Sequence, residues 1–206
     1  RHRGHTRLDY SQKLKIMFEE RRNAKRTAQR MLFEALTSKP SKVLGLAGDC
    51  PDKYKQVLEE TIHPSKILLC DKHRYGGEVV RGDIATLQYM VKAPMVDCDF
   101  CNSIVNAKDS FLDVFNTLNT LETNERRALS FTFSLRCAGG IERMFDFLNQ
   151  HLYQGTLQVA GKSRLFGGRW GEPYLVEYRH SQSKFIDSKL ISYRDTTCMF
   201  SGIISW

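Results

Sequence analysis

Acidic groups recur after short apolar runs in this chain, and their spacing gives the first hint of chemistry. Val43 to Leu46 runs into Gly48, Asp49, Cys50 and Pro51; "SKILLCD" ends on Asp71; "GEVVRGD" ends on Asp83. "APMVDCDF" carries Asp97 and Asp99, with Asn102 and Ser103 just beyond. If each run is a strand of one parallel sheet, these groups gather outside the carboxyl ends of the strands, where open α/β sheets bind ligands. Each would then have a separate part. Gly48, with no Cβ, lets a ligand approach the backbone closely, and Asp49 lies beside it. Asp71 can accept both hydroxyls of a ribose. Asp83 can accept a hydrogen bond from an adenine amino group. Asp97 and Asp99 sit two apart, so they share one face of a regular strand while Cys98 points to the other. Asp97 ends the apolar run "APMV" and is the carboxylate expected on the reacting side. The chain is expected to turn soon after and carry Asp99 away, with Asn102 and Ser103 in that turn orienting an acceptor.

The elements that would position these groups are legible from periodicity. Leu14, Met17, Phe18, Ala24, Ala28, Met31, Leu32, Ala35 and Leu36 recur at helical spacing, so Leu8 to Leu36 reads as one long helix or two, ended by Ser38-Lys39-Pro40. "KVLGLAG", "SKILLCD", "GEVVRGD", "APMVDCDF" and "RALSFTFSLR" read as five strands. Between and after them, "PDKYKQVLEETIH", the stretch around Ile84 to Met90, "SFLDVFNTLNTL" and "IERMFDFLNQHLY" read as helices. Strands alternating with helices predict a parallel sheet covered on both faces. The last third differs. "PYLVEYRH", "KLISYRD" and "CMFSGIIS" follow one another across short turns, which demands antiparallel pairing. The expected fold is therefore a Rossmann-like, mostly parallel α/β sheet with antiparallel C-terminal strands, preceded by a basic N-terminal helix. Residues 1–41 form the helical extension and residues 42–206 the main domain.

Charge is distributed unevenly. The 206 residues carry a net charge of +8, and residues 1–42 hold twelve Lys and Arg against four acids, so the excess belongs to that segment alone. A concentrated basic arm suits an acidic partner, and nucleic acid, RNA or DNA, is the expected one. Arg21, Arg22, Lys25, Arg26 and Arg30 are the arm's candidate phosphate contacts. A second candidate is "GKSRLFGGRWGEPY", expected as a loop, where Lys162, Arg164 and Arg169 could neutralise phosphates and Trp170 could stack on a base. No apolar run reaches the roughly 18–20 residues that span a bilayer. "RHRGHTRLDY" lacks the apolar stretch of a secretory signal. Six cysteines in a chain with 41% hydrophobic residues read as reduced thiols of an intracellular protein, in the cytoplasm. Cys98 and Cys101 have metal-ligand spacing, but a second cysteine pair is missing, so no metal is expected.

The ordered set "LGLAGDC", Asp71, "GDI" and "VDCDFCNSI" resembles the class I S-adenosylmethionine-dependent methyltransferases over roughly residues 42–206. The resemblance implies a seven-stranded sheet whose last strand runs antiparallel to its neighbours. It implies S-adenosylmethionine as cofactor, held by Gly48, Asp49, Asp71 and Asp83, and a catalytic side at Asp97, Asn102 and Ser103. It also raises cytosine-C5 chemistry at Cys101 and Cys137, which occupy comparable strand ends, though the Pro-Cys and Thr-Cys contexts of such enzymes are missing. A Gly-x-Gly-x-x-Gly fingerprint and a Walker phosphate loop are absent, against a nicotinamide enzyme and an NTPase of that class. The turn glycine is single, and no Asp/Asn-Pro-Pro-aromatic sequence follows the fourth strand. A second reading therefore stands beside the enzyme: a methyltransferase-like domain without catalysis, serving as a binding or structural subunit of a nucleoprotein assembly.

Overall fold

The computed structural model describes residues 24–47, 51–60, 62–73, 77–136, 139–167, 173–181, 184–194 and 197–206. Residues 24–34 are helical (α1). There follow β1 (Val43–Leu46), α2 (Pro51–Glu59), β2 (Ile67–Asp71), β3 (Val79–Arg81), α3 (Ile84–Val91), β4 (Met95–Ser103), α4 (Ile104–Asn119), β5 (Ala128–Ser134) and α5 (Gly140–Leu148), which runs on into a π-helical turn at Asn149–Tyr153. Four strands complete the sheet: β6 (Gln158–Phe166), β7 (Tyr174–Ser181), β8 (Asp187–Arg194) and β9 (Cys198–Ser205).

Short apolar strands joined by helices can only pair in parallel, because each helix returns the chain to the same end of the sheet. β1 pairs in parallel with β2 on one side (Val43 beside Ile67) and β4 on the other (Val43 beside Met95). The order β3-β2-β1-β4-β5 thus reverses between β1 and β4, which is the switch point of a doubly wound sheet. After β5 the order continues β9-β8-β7-β6. β9 enters beside β5 and runs antiparallel to both β5 and β8, as expected for the last strand. The expected pairing of "PYLVEYRH" with "KLISYRD" is present, from Tyr174 beside Arg194 to Tyr178 beside Leu190.

Two expectations need correction. "GKSRLF" is not loop: Gly161 to Phe166 belong to β6, which pairs antiparallel with β7 and adds a hairpin to the outer edge of the sheet. The described sheet accordingly has nine strands where the resemblance implied seven. The chain also does not turn after Asp97. β4 runs on to Ser103, Asp99 stays in register beside Thr132, and the ladder shifts only between Asp99 and Ser103.

The sheet is covered on both faces. On one, α3, α4 and α5 bury an aromatic core around Phe111, Phe131, Phe133 and Phe147. On the other, α1 and α2 pack Ala24, Ala28, Leu32, Val57 and Leu58 against Val43, Met95 and Ile203. Ala24 and Ala28 are fully buried; their small side chains let α1 lie close to the strands. Beyond α1, the Thr37 amide and hydroxyl donate to Asp187, and the Ser41 amide and hydroxyl donate to Glu125. The described part of the N-terminal segment is thus built into the core. Among the described residues no helix is long and apolar enough to cross a membrane.

Candidate functional site

Asp97 sits at the centre of the sheet. Its strand lies between β1 and β5, and its flanking residues across the ladder are Gly45 and Ser130. The Tyr54 hydroxyl, reaching down from the first half of α2, donates to one carboxylate oxygen, and the Ser130 hydroxyl donates to the other. Gly45 makes the first of these bonds possible. A Cβ there would stand 2.5 Å from the Tyr54 hydroxyl oxygen. A glycine inside a strand often marks such a close approach.

Burial shapes the acid–base properties of this pair. Asp97 is 4% exposed. Loss of solvent, then the neighbouring charge of Asp99, raises its pKa to about 6, against the opposing pull of the Ser130 and Tyr54 bonds and of Lys25. Burial, followed by the Asp97 charge, pushes the Tyr54 hydroxyl well above its ordinary range, so it stays protonated and remains a donor.

Asp99 shares that face, as the two-residue spacing predicts. It meets the Lys25 ammonium from α1, Nζ to Oδ2, at 2.6 Å. Next to it on β5, Thr132 exchanges a 2.7 Å hydrogen bond with Ser201 of β9. Asp97, Asp99, Ser130, Thr132 and Ser201 are all buried, forming a polar track across β4, β5 and β9. Cys98 points the other way, into the aromatic core with Cys70. Burial, then Asp97, pushes the Cys98 thiol well up, and burial with Asp83 and Asp71 raises Cys70 to about 12. Both are poor nucleophiles at neutral pH. Cys101 ends up in β4, its side chain outside the described set, and Cys137 lies outside the described residues.

The other expected residues occupy the strand ends. Asp71 closes β2 half-buried, and one of its oxygens accepts the His73 amide at 2.7 Å. Asp83 is the N-cap of α3 and accepts the Ala85 amide at 3.0 Å. Asn102 is exposed at the end of β4, and Ser103 takes the N-cap position of α4 without a side-chain capping bond. Gly48 and Asp49 lie outside the described residues, as do Arg21, Arg22, Arg169 and Trp170. Of the basic arm, Lys25 holds Asp99, Arg30 makes a two-bond pair with Glu60 at 2.7 Å each, and Arg26 is half-buried. Lys162 and Arg164 stand on β6 beside Tyr178 and Val176 of β7.

Sequence reasoning missed Tyr54, Ser130 and the inward role of Lys25. The available signal was Gly45 itself, an interior strand glycine that requires something to press against it.

No protein-family model and no curated protein matches the chain. Among solved structures, the N-methyltransferase NodS from Bradyrhizobium japonicum is similar at 10% identity and a TM-score of 0.45, over 89% of this chain and 96% of that one. A precorrin-6y C5,15-methyltransferase from Geobacter metallireducens aligns at 9% identity and 0.44, over 87% and 86%. The sugar N-methyltransferase KedS8 from Streptoalloteichus aligns at 10% identity and 0.38, over 100% and 81%. Similarities this distant transfer neither a substrate nor a residue role. By its own strand order, with the last strand antiparallel between β5 and β8, this chain has a Rossmann-like, doubly wound α/β fold.

Proposed function

We propose that this chain transfers a methyl group from S-adenosylmethionine to nucleic acid. The observation that carries the reading is the sheet, with its switch point between β1 and β4 and the half-buried Asp71 carboxylate at the end of β2. A carboxylate there suits the two hydroxyls of a ribose. Asp71 would hold the ribose, Asp83 would lie on the adenine side, and Gly48 and Asp49 would flank the methionine part. The cofactor supplies a methyl group already activated on a sulfonium. The protein's task is then mainly alignment of the acceptor, which can supply much of the rate.

Asn102 and Ser103 suit that task. Asn102 is exposed, and the Ser103 hydroxyl is not used to cap α4. Asp97 supports from beneath, since Tyr54 and Ser130 engage both of its oxygens. Nucleic acid as acceptor rests on charge. β6 carries Lys162 and Arg164 on an edge strand, and Arg179 of β7 lies over Gly161, its guanidinium 3.0 Å from where a Cβ would stand. β6 runs parallel to β8 and hence to β5, so its last residues lie at the same end of the sheet as Asp71 and Asn102. Arg169 and Trp170, in the segment joining β6 to β7, and Arg21, Arg22 and Arg26 complete the proposed contact set. Buried free thiols at Cys70 and Cys98 suit a reducing, intracellular compartment.

The engagement of both Asp97 oxygens and the Lys25–Asp99 pair favour one rival. A domain whose Asp97 and Asp99 carboxylates are satisfied internally could bind nucleic acid without catalysis, as a structural subunit. Incubation with methyl-labelled S-adenosylmethionine and, separately, single-stranded RNA, folded RNA and duplex DNA decides between them. Label appearing in one nucleic acid supports the enzyme. Binding of nucleic acid with no transfer to any of the three supports the rival.

A further inference from the structure

Tyr54 enters the reading above only as a partner of Asp97, yet it occupies an unusual position. It stands in α2, three residues after the helix begins at Pro51, and its ring crosses β1 at Gly45 to reach β4. One hydroxyl therefore links the three elements on either side of the switch point. The ring is 8% exposed, packed with Val57, Leu58 and Ala47, and the hydroxyl donates to a carboxylate that is itself buried. A phenylalanine would fill the same space. The hydroxyl carries a cost of burial that only a specific bond offsets.

We infer that Tyr54 is a positioning residue for the cofactor site: its bond to Asp97 locks α2 and the end of β1 against β4, and cofactor affinity depends on that lock. The inference rests on the methyltransferase reading. α2 begins at Pro51, shortly after β1 ends at Leu46, so holding α2 and β1 against β4 holds both sides of the switch point, where doubly wound sheets bind ligands. Gly45 belongs to the device, because any side chain there would displace the hydroxyl from Asp97.

The charge state of Asp97 should be read out by this lock. The groups facing it are the Tyr54 hydroxyl from α2, the Ser130 hydroxyl from β5, Asp99 on its own strand and, beyond Asp99, Lys25 from α1. An ionised carboxylate accepts a stronger hydrogen bond than a protonated one. The lock is therefore tight above about pH 6 and weakens below it, following the Asp97 titration.

The test is titration of the folded chain with S-adenosylmethionine between pH 5 and 8, for the wild type, Tyr54→Phe and Tyr153→Phe. Tyr153 is also a buried tyrosine whose hydroxyl is bonded, to Ser188 at 2.5 Å, but it lies away from the switch point. The wild type should bind more weakly as pH falls through about 6. Tyr54→Phe should bind about tenfold more weakly at pH 8, the scale of one lost charge-assisted bond. It should also lose the pH dependence, because the linkage passes through the missing hydroxyl. Tyr153→Phe should keep both the affinity and the pH profile. If Tyr54→Phe does not fold, Gly45→Ala, which displaces the hydroxyl without removing it, should show the same two changes. A Tyr54→Phe or Gly45→Ala chain that keeps the wild-type affinity, or weakens it with the pH inflection intact, overturns the inference and leaves the function standing. No binding by the folded wild type overturns the function, and the inference with it.

Discussion

Asp97 is the residue on which most of the local physics converges. A carboxylate in the middle of a sheet, with its pKa raised to about 6, binds a proton more readily in the folded chain than in the unfolded one. The native state therefore holds more protons between roughly pH 4 and 6, and stability from this group falls as pH rises through that window. The loss is on the order of 2–3 kcal/mol. Asp97→Asn removes the titration. Its stability relative to the wild type should thus improve from pH 4 to about pH 6 and level off above it, as measured by urea unfolding at each pH. A constant difference would show that Asp97 does not titrate in this range. Gly45 gives a second residue-scale prediction. Gly45→Ala should be destabilising in the wild type but less so in the Tyr54→Phe background, where the clashing oxygen is gone. The two effects should deviate from additivity by about 0.5–3 kcal/mol, the range for residues in contact. Strict additivity would mean that the hydroxyl does not lie over Gly45.

At the scale of elements, α1 is fixed by a charge as well as by its alanines. Lys25→Met leaves the Asp99 carboxylate, 5% exposed, without its ammonium. The ammonium side is 28% exposed, so the loss should be about 1–3 kcal/mol, below that of a fully buried pair. Asp99→Asn in the same chain should recover part of it, and no recovery would argue against the pairing. The β6–β7 hairpin makes a different prediction. Lys162→Gln and Arg164→Gln should each lower the salt slope of nucleic-acid binding by roughly 0.7–0.9. An unchanged slope would remove the hairpin from the contact set.

These elements also show what the sequence could disclose. β1, β2, β4 and the helices after them announce themselves because each buries a continuous apolar run or a clear helical stripe. β6 does not. It is an edge strand with most of its side chains exposed, and two register shifts break its alternation, so "GKSRLF" has no periodic core face to reveal it. β5 misleads in the opposite way. Alternation in "ALSFTFS" ordinarily marks a face open to water. Here Ser130, Thr132 and Ser134 are buried, and their alternation marks the polar track instead. The same limit applies to the arm. Helical spacing finds the basic residues of α1, but only packing reveals that Lys25 and Arg30 are engaged by carboxylates of the same chain.

Over the whole molecule, the positive charge and the acidic strand ends point to different partners at one end of the sheet. Asp71, Asp83 and Asn102 stand there on the parallel half, and the end of β6 brings Arg164 to the antiparallel half. The arrangement would let a nucleic acid held by the basic half present a base to a cofactor held by the other. Everything in that picture depends on the cofactor. Calorimetric titration of the folded chain with S-adenosylmethionine at pH 8, beside Asp71→Ala, tests it most directly. The account predicts one site in the wild type, and binding weaker by about 1–3 kcal/mol in Asp71→Ala, the scale for hydrogen bonds lost to a charged group. A folded wild-type chain that gives no heat of binding, or an Asp71→Ala variant that binds as tightly as the wild type, would contradict it.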